Sequence, residues 1–222
     1  MINHLILTQT TRGTRHAVRA LLNELRLQRR HRAALRGARR YRGKVGLKLQ
    51  LGSGPNPKPG WVNIDLFCPA DLSLDIRETL PFDDSSCSVI YSEHVFEHLA
   101  YPVETGQLLR ESLRVLEPGG LFSVGVPDTE WPLRAFVQGE DEYFQISLES
   151  GSHPPWCTTR MHQINYHFRQ GTEHKYAWDY ETLAEVLQSS GFADVKRREF
   201  DLETDSESRR IGTLYVDARK PQ

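Results

Sequence analysis

The sequence predicts an α/β fold, a mostly parallel sheet with flanking helices, preceded by a basic N-terminal helix. Three observations carry this expectation. From Val45 onward, short apolar runs alternate with helical patterns. The first run ends in Gly52-Ser53-Gly54. Polar residues then gather at the carboxyl ends of the runs, where open parallel sheets hold ligands: Asp65, Asp75, Ser92 to His94 and Pro127-Asp128. The length, 222 residues, suits one domain with an appendage. A hydrophobic share of 38% and a charged share of 26% exclude disordered and collagen-like chains. No apolar run approaches the roughly 20 residues of a membrane helix.

Met1 to Leu7 is apolar but short, without a basic start or a cleavage site, so no secretory leader is expected. Cys68, Cys87 and Cys157 are scattered, odd in number and lack metal-ligand spacing. A reduced, cytoplasmic chain is the expectation.

The net charge of −1 hides an asymmetry. Residues 1–48 hold 13 Lys/Arg against Glu24 alone, a balance of +12. The remainder holds 28 − 13 = 15 basic and 29 − 1 = 28 acidic residues, a balance of −13. We expect a basic helical arm over 1–44 and a main domain over 45–222, with a substrate-side insertion at 129–178. In the arm, Val18, Leu21, Leu22 and Leu25 recur at helical spacing, which predicts a helix from about Thr14 to about Arg36. Its apolar stripe packs on the acidic domain, or residues 12–44 lie on an anionic membrane surface, which would make the chain peripheral at the inner membrane. Contact with a nucleic-acid backbone ranks last, since aromatic interleaving is almost absent.

In the main domain, Val45 to Leu51 and Trp61 to Leu66 read as strands. Only residues 53–60 separate Gly52 from Trp61, so a helix between these strands is very short or missing. Asp71 to Asp75 leads into a possible third strand. Cys87 to Ser92 is a strand, His94 to Ala100 starts a helix, and Val103 to Leu116 is an amphipathic helix stopped by Pro118-Gly119-Gly120. Leu121 to Val126 is a strand. Residues 129–178 read as irregular. Tyr180 to Ser190 is a helix closed by Gly191, and Val195 to Phe200 and Thr213 to Ala218 complete the sheet.

The strand ends have chemical readings beside plain ones. Gly52 and Gly54 let a ligand approach the backbone, or simply turn the chain. The dinucleotide fingerprint G-x-G-x-x-G fails, because position 57 is proline. Asp65 suits a ribose diol or caps a turn. Asp75 beside Ile76 suits an adenine, the acid on the amine and the isoleucine on the ring face, or Asp75 caps the next turn.

Leu49-Gln50-Leu51-Gly52-Ser53-Gly54, followed by Gly60-Trp61-Val62-Asn63-Ile64-Asp65-Leu66, resembles the glycine loop and acidic second strand of class I S-adenosylmethionine-dependent methyltransferases. Leu80 to His94, Glu97-His98-Leu99 and Arg114 to Leu121 are similar to further motifs of that family. The resemblance spans about 47–128 and Leu183 to Phe192. It is narrowest to a compact bacterial subgroup associated with saccharide pathways. It implies a Rossmann-like fold and S-adenosyl-L-methionine as cofactor. It places Gly52, Ser53 and Gly54 around the methionine part of the cofactor, Asp65 and Leu66 at the ribose, Asp75 and Ile76 at the adenine, and Ser92 and Glu93 near the sulfonium. Gln50 departs from the acidic residue of the first motif, and Pro55-Asn56 departs from its third glycine.

The implied reaction is methyl transfer to a hydroxyl or similar nucleophile, on a saccharide, a lipid-linked saccharide or a small molecule. Nucleic acid is the unlikely acceptor for an acidic domain. A base is needed only where the acceptor loses a proton. The insertion offers His153, His162, His167 and His174, with Trp156, Tyr166, Tyr176 and Trp178 as walls. His174 ranks first as the catalytic or substrate-facing residue, because His174-Lys175-Tyr176 resembles a family step. Two rivals remain. A non-catalytic methyltransferase-like domain would be tethered by the arm. A zinc hydrolase would use His94, Glu97 and His98, which match H-x-x-E-H on a helix. No third ligand is identifiable for that motif, so no metal is expected.

Overall fold

A computed structural model describes residues 10–222; the expectation for Met1 to Leu7 lies outside them. Six strands form one sheet: β1 (Leu47–Leu51), β2 (Val62–Ile64), β3 (Cys87–Glu93), β4 (Leu116–Pro127), β5 (Ala193–Arg198) and β6 (Thr213–Arg219). Their order is β2-β1-β3-β4-β6-β5. The first four strands run parallel, and β6 is antiparallel to both of its neighbours. The core strands are almost continuously apolar because helices or loops cover both faces. Leu49, Leu51, Ile64, Ile90, Phe122, Val124, Val126 and Val216 form the buried centre.

The chain winds outward in both directions from β1, toward β2 on one side and β3 on the other. That reversal defines the switch point at which doubly wound sheets bind ligands. Gly52 leaves β1, and Ser92-Glu93 end β3, on either side of it.

Residues 52–61 join β1 to β2 without a helix, as expected. A parallel connection of about a dozen residues or more is normal, so the loop must be held by other means. Gln50, buried at the end of β1, accepts from Lys58 N at 3.0 Å and donates to Asn56 O at 3.2 Å. Asn63 of β2 accepts from Lys58 N at 2.7 Å and donates to Lys58 O at 3.1 Å and Asp71 Oδ2 at 3.0 Å. A carboxylate at position 50 would only accept; the amide does both.

Residues 65–86, between β2 and β3, also lack a helix. The expected third strand is reduced to one parallel bridge, Ile64 with Leu72. The N-terminal helix α1 (Arg12–Ala38) lies against this stretch. Thr11 caps it, accepting from Thr14 N. Gly37 packs on Leu72, and Ala34 and Ala38 join the main core. His31 Nδ1 accepts from Asp75 N at 3.1 Å, and Arg30 reaches Phe67 O and Ser73 Oγ. The docking side is therefore Leu27, Ala34 and Ala38, not the expected stripe of Val18, Leu21, Leu22 and Leu25. Leu21, Leu22 and Leu25 are 61%, 58% and 45% exposed. Small alanines win the interface because they let the helix backbone approach closely.

Three more expectations change. His94 to Ala100 is not an α-helix; it holds a single 3₁₀ turn, Phe96–His98, and His94 takes a left-handed φ of 53°. Helix α2 (Val103–Val115) runs directly into β4, which contains Pro118-Gly119-Gly120 as a bulge and so begins at Leu116. Residues 129–178 are helical rather than irregular: α3 (Glu130–Gln138), α4 (Glu142–Glu149) and α5 (Arg160–Arg169). Ala135, Tyr143 and Phe144 give them a small core of their own. Their short length and dense His and aromatic content obscured the helical period. Helix α6 (Tyr180–Ser189) is capped by Asp179 and packs on β5 and β6.

Asn63→Ala removes the Asn63 bonds to Lys58 N and Lys58 O, while Lys58 N keeps Gln50 Oε1. It should cost about 1–2 kcal/mol through the lost bonds. Urea unfolding should show a lower midpoint at unchanged slope; an unchanged midpoint would show that the loop needs no pin.

Candidate functional site

At the switch point, Gly52 N and Ser53 N both donate to Ile64 O, at 2.8 and 3.1 Å. Gly52 has φ +66°, and a Cβ there would stand 2.2 Å from Val95 Cγ2. Val95, which follows β3, therefore sits where only glycine leaves room. Gly54 has φ +53° with open space around its Cα. Ser53 Oγ and Ser92 Oγ are both buried, and neither has a hydrogen-bond partner among the described residues. Buried hydroxyls normally find partners, so two orphaned ones at adjacent strand ends fit a polar ligand.

Asp65 is used from both oxygens. Oδ2 accepts from Gly54 N at 2.8 Å, and Oδ1 accepts from Phe67 N and Cys68 N at 2.7 and 2.6 Å. A carboxylate has about four acceptor sites, so capacity for a ribose hydroxyl remains. Leu66 is half-buried next to it. Asp75 is bound by Arg77 through Nε at 2.9 Å and Nη2 at 2.7 Å. Burial pushes its carboxyl up, and the Arg77 contacts outweigh that and hold it below the ordinary value. Ile76 is half-buried and packs against the main core. Asp75 and Arg77, with Glu24, Gln28, His31 and Leu35 of α1, line a cavity of about 410 Å³. That wall from the N-terminal helix was invisible in the sequence, since nothing local links His31 to a residue 44 positions away.

Glu93 accepts from Tyr215 Oη at 2.8 Å and from Ser206 N at 3.2 Å. Behind it, Tyr91 Oη donates to Asp205 Oδ1 at 3.0 Å, and Arg198 grips the fully buried Asp205 side chain at 2.6 and 2.7 Å. Lys58 lies over the Tyr91 ring and donates to Thr204 O. Burial lowers the Lys58 ammonium's pKa, against the opposing pull of Glu93 and Asp205. These contacts bring residues 199–212 over the end of β3. None of Lys58, Tyr91, Arg198 or Asp205 stood out in the sequence.

The insertion histidines separate. His153 is buried among Tyr143 and Tyr166, while His162 and Trp156 face outward. His174, Tyr176, Trp178 and His167 line a small enclosed space with Glu97 and Thr129. Burial lowers the His167 pKa to about 4, helped by neighbouring histidines; burial also lowers that of His174, opposed by Glu97. Lys175 N and Tyr176 N donate to Glu97 O at 2.7 and 3.3 Å, which fastens the insertion to the segment after β3. His94, by contrast, turns its Nε2 to Thr213 Oγ1 at 2.9 Å. Without an α-helix at 94–100, His94 and His98 do not share a helical face, and the H-x-x-E-H geometry is absent.

The comparisons with known proteins follow this geometry. Residues 66–124 match the family described as "Methyltransferase domain". No curated protein matches the chain. Among solved structures, a SAM-dependent methyltransferase from Archaeoglobus fulgidus is 17% identical, covers 90% of this chain and 99% of its own, and has a TM-score of 0.48. One from Methanosarcina mazei is 16% identical, with coverage of 82% and 96% and a TM-score of 0.49. Phosphoethanolamine N-methyltransferase 2 from Haemonchus contortus, in complex with S-adenosyl-L-methionine, is 15% identical. It covers 86% of this chain, which spans only 53% of its length, with a TM-score of 0.45. Values this low say nothing of the acceptor.

The family match falls on the strand β3–helix α2–strand β4 unit of a doubly wound sheet with an antiparallel sixth strand. Over residues 66–124 the chain is similar to a methyltransferase domain.

Gly52→Ala should destabilise the fold by about 1–3 kcal/mol, from the positive φ and the clash with Val95. Adding Val95→Ala should recover the steric part only, so a double-mutant cycle in urea should show partial rescue. Strict additivity would mean that the two residues do not press on each other.

Proposed function

We propose that the chain transfers a methyl group to a hydroxyl or similar nucleophile on a saccharide or lipid-linked saccharide, using cofactor bound across the switch point. Gly52, Ser53 and Gly54 would hold the methionine end, Asp65 and Leu66 the ribose, Asp75 and Ile76 the adenine, and Ser92 and Glu93 the region of the sulfonium. The orphaned hydroxyls of Ser53 and Ser92, flanking an open Gly54, are the observation that carries this reading. Asp75 would meet the adenine amine while keeping Arg77, which leaves α1 as part of the cofactor wall.

When bound, the cofactor supplies a methyl group already activated on a sulfonium. The protein's work is to orient and to exclude water. Gln50, Asn63 and Asp65 hold the glycine loop rigid, and residues 199–212 cover the end of β3. On the acceptor side, His174 would face the acceptor. Tyr101 and Tyr176, 4.9 Å apart, offer an aromatic surface that suits a sugar ring. A small-molecule acceptor fits the same face, and a binding domain without turnover is the competing reading.

Calorimetry decides the cofactor site. Wild type should bind one S-adenosylmethionine, Asp65→Ala should lose binding at least tenfold, and His174→Ala should keep it while losing turnover on an acceptor. Equal binding by wild type and Asp65→Ala would overturn the assignment. Retained turnover in His174→Ala would remove that residue from the acceptor side.

A second inference concerns partners. Leu21 and Leu22 are exposed on α1 near Arg19, Arg26 and Arg29, while Leu25 and Arg32 border the cavity beside Asp75 and the side bearing Leu27, Ala34 and Ala38 docks on the domain. We infer that this outer face lies on an anionic membrane surface, a peripheral arrangement; no helix among the described residues is long and apolar enough to cross a membrane. The protein should sediment with phosphatidylglycerol vesicles but not phosphatidylcholine ones, less so in high salt. Replacing Leu21 and Leu22 by serine should release it; sedimentation unaffected by these changes would argue for charge alone.

A further inference from the structure

The side chain of Glu97 is 2% exposed, and neither carboxylate oxygen has a hydrogen-bond donor among the described residues. An ionised carboxylate so placed is strongly disfavoured unless a positive charge faces it. The nearest lysine, Lys175, is instead paired with Glu104 at 2.9 Å. Among the described residues, two imidazoles approach Glu97 Oε1, His94 Nδ1 at 3.4 Å and His98 Nε2 at 3.8 Å.

The tautomers of two neighbouring rings follow from their partners. His98 Nδ1 stands 3.1 Å from Glu173 O, and His174 Nδ1 stands 2.9 Å from His167 O. A carbonyl only accepts, so each Nδ1 carries a proton. In a neutral ring each Nε2 is then a lone pair. Two imidazoles are anchored through Nδ1–H to carbonyls, and His98 Nε2 stands 3.8 Å from Glu97 Oε1, the kind of arrangement in which outer hydrogen bonds orient metal ligands. One ligand atom from each of Glu97, His98 and His174 lies within 4.8 Å of the others.

We propose that Glu97, His98 and His174 bind one divalent cation of the zinc class. Two imidazoles and one carboxylate are a zinc donor set that leaves a fourth position open. The backbone bonds from Lys175 and Tyr176 to Glu97 O hold the two halves of the site together. The site follows β3 by a few residues, on the acceptor side, and shares its enclosed space with His167, Tyr176 and Trp178. Cation binding stands on this geometry alone. Its use rests on the methyltransferase reading: the open position would take an acceptor hydroxyl and lower its pKa, with His174 acting as a ligand.

The full chain, stripped with chelator, would be titrated with zinc against a chromophoric competitor, and with cobalt for its visible spectrum. One zinc equivalent and an intense tetrahedral cobalt band are expected. Glu97→Gln, which keeps side-chain volume, and His174→Ala should each weaken zinc at least ~100-fold, while His94→Asn should stay within about threefold. Circular dichroism checks that each variant folds. Folded wild type without saturable zinc binding would overturn the proposal, as would ¹⁵N spectra showing His98 as an imidazolium paired with Glu97. Loss in His94→Asn with retention in His174→Ala would also overturn it. S-adenosylmethionine calorimetry on the same stripped sample separates the two readings: cofactor bound without zinc defeats only the metal site, and zinc bound without cofactor defeats only the transferase reading.

Discussion

The structure depends on how two parallel strands are joined by a loop too short for a helix. A parallel crossover normally closes its distance with helical chain, whose backbone satisfies itself. Residues 52–61 cannot do this, so side chains from the flanking strands take over. Gln50 and Asn63 converge on Lys58, and Asp65 receives Gly54 N. The same bonds that close the connection also set the glycine turn beside Ser92. Loop closure and site geometry are therefore one constraint, which explains why short polar side chains occupy buried strand positions here.

The same economy of chain leaves one face of the sheet without crossover helices between β2 and β3. The N-terminal helix fills that role from outside the βα succession, through two alanines and a set of polar contacts to residues 67–77. Its arginines serve two ends. Arg30 and Arg40 bind the acidic stretch that they cover, while others stay outward with the exposed leucines. The +12 and −13 halves of the sequence are thus partly matched within the fold.

At the other end of the sheet, the buried Asp205 draws in Arg198 and Tyr91, and Glu93 draws in Tyr215 and Ser206. Such buried charges are poor sources of stability but strong selectors of one arrangement. They fix residues 199–212 over β3, so the site gains a cover from a segment distant in sequence. The insertion is fixed similarly, by two backbone bonds onto Glu97 O, which makes a buried carboxylate the meeting point of histidines from two segments.

The succession of strands along the chain, the glycine turn, the acidic second strand and the missing first helix were legible in the sequence. Each is a local property: apolar periodicity, glycine's freedom at positive φ, and loop length. The resemblance to methyltransferases rested on the same local runs. What the sequence left unread was set by contacts between distant residues. The amphipathic stripe of the arm pointed to Leu21, Leu22 and Leu25, yet the docking side is Leu27, Ala34 and Ala38, because the shape of the partner surface decides which face fits. The insertion's helices were hidden because their burial is shared among three short pieces. His94 and His98 suggested a shared helical face, but the left-handed turn at His94 and the 3₁₀ turn after it replace the α-helix, and both imidazoles approach Glu97 Oε1 instead. His98 and His174 come together only because residues 175–176 bond to Glu97 O, a pairing across nearly eighty residues that periodicity cannot encode.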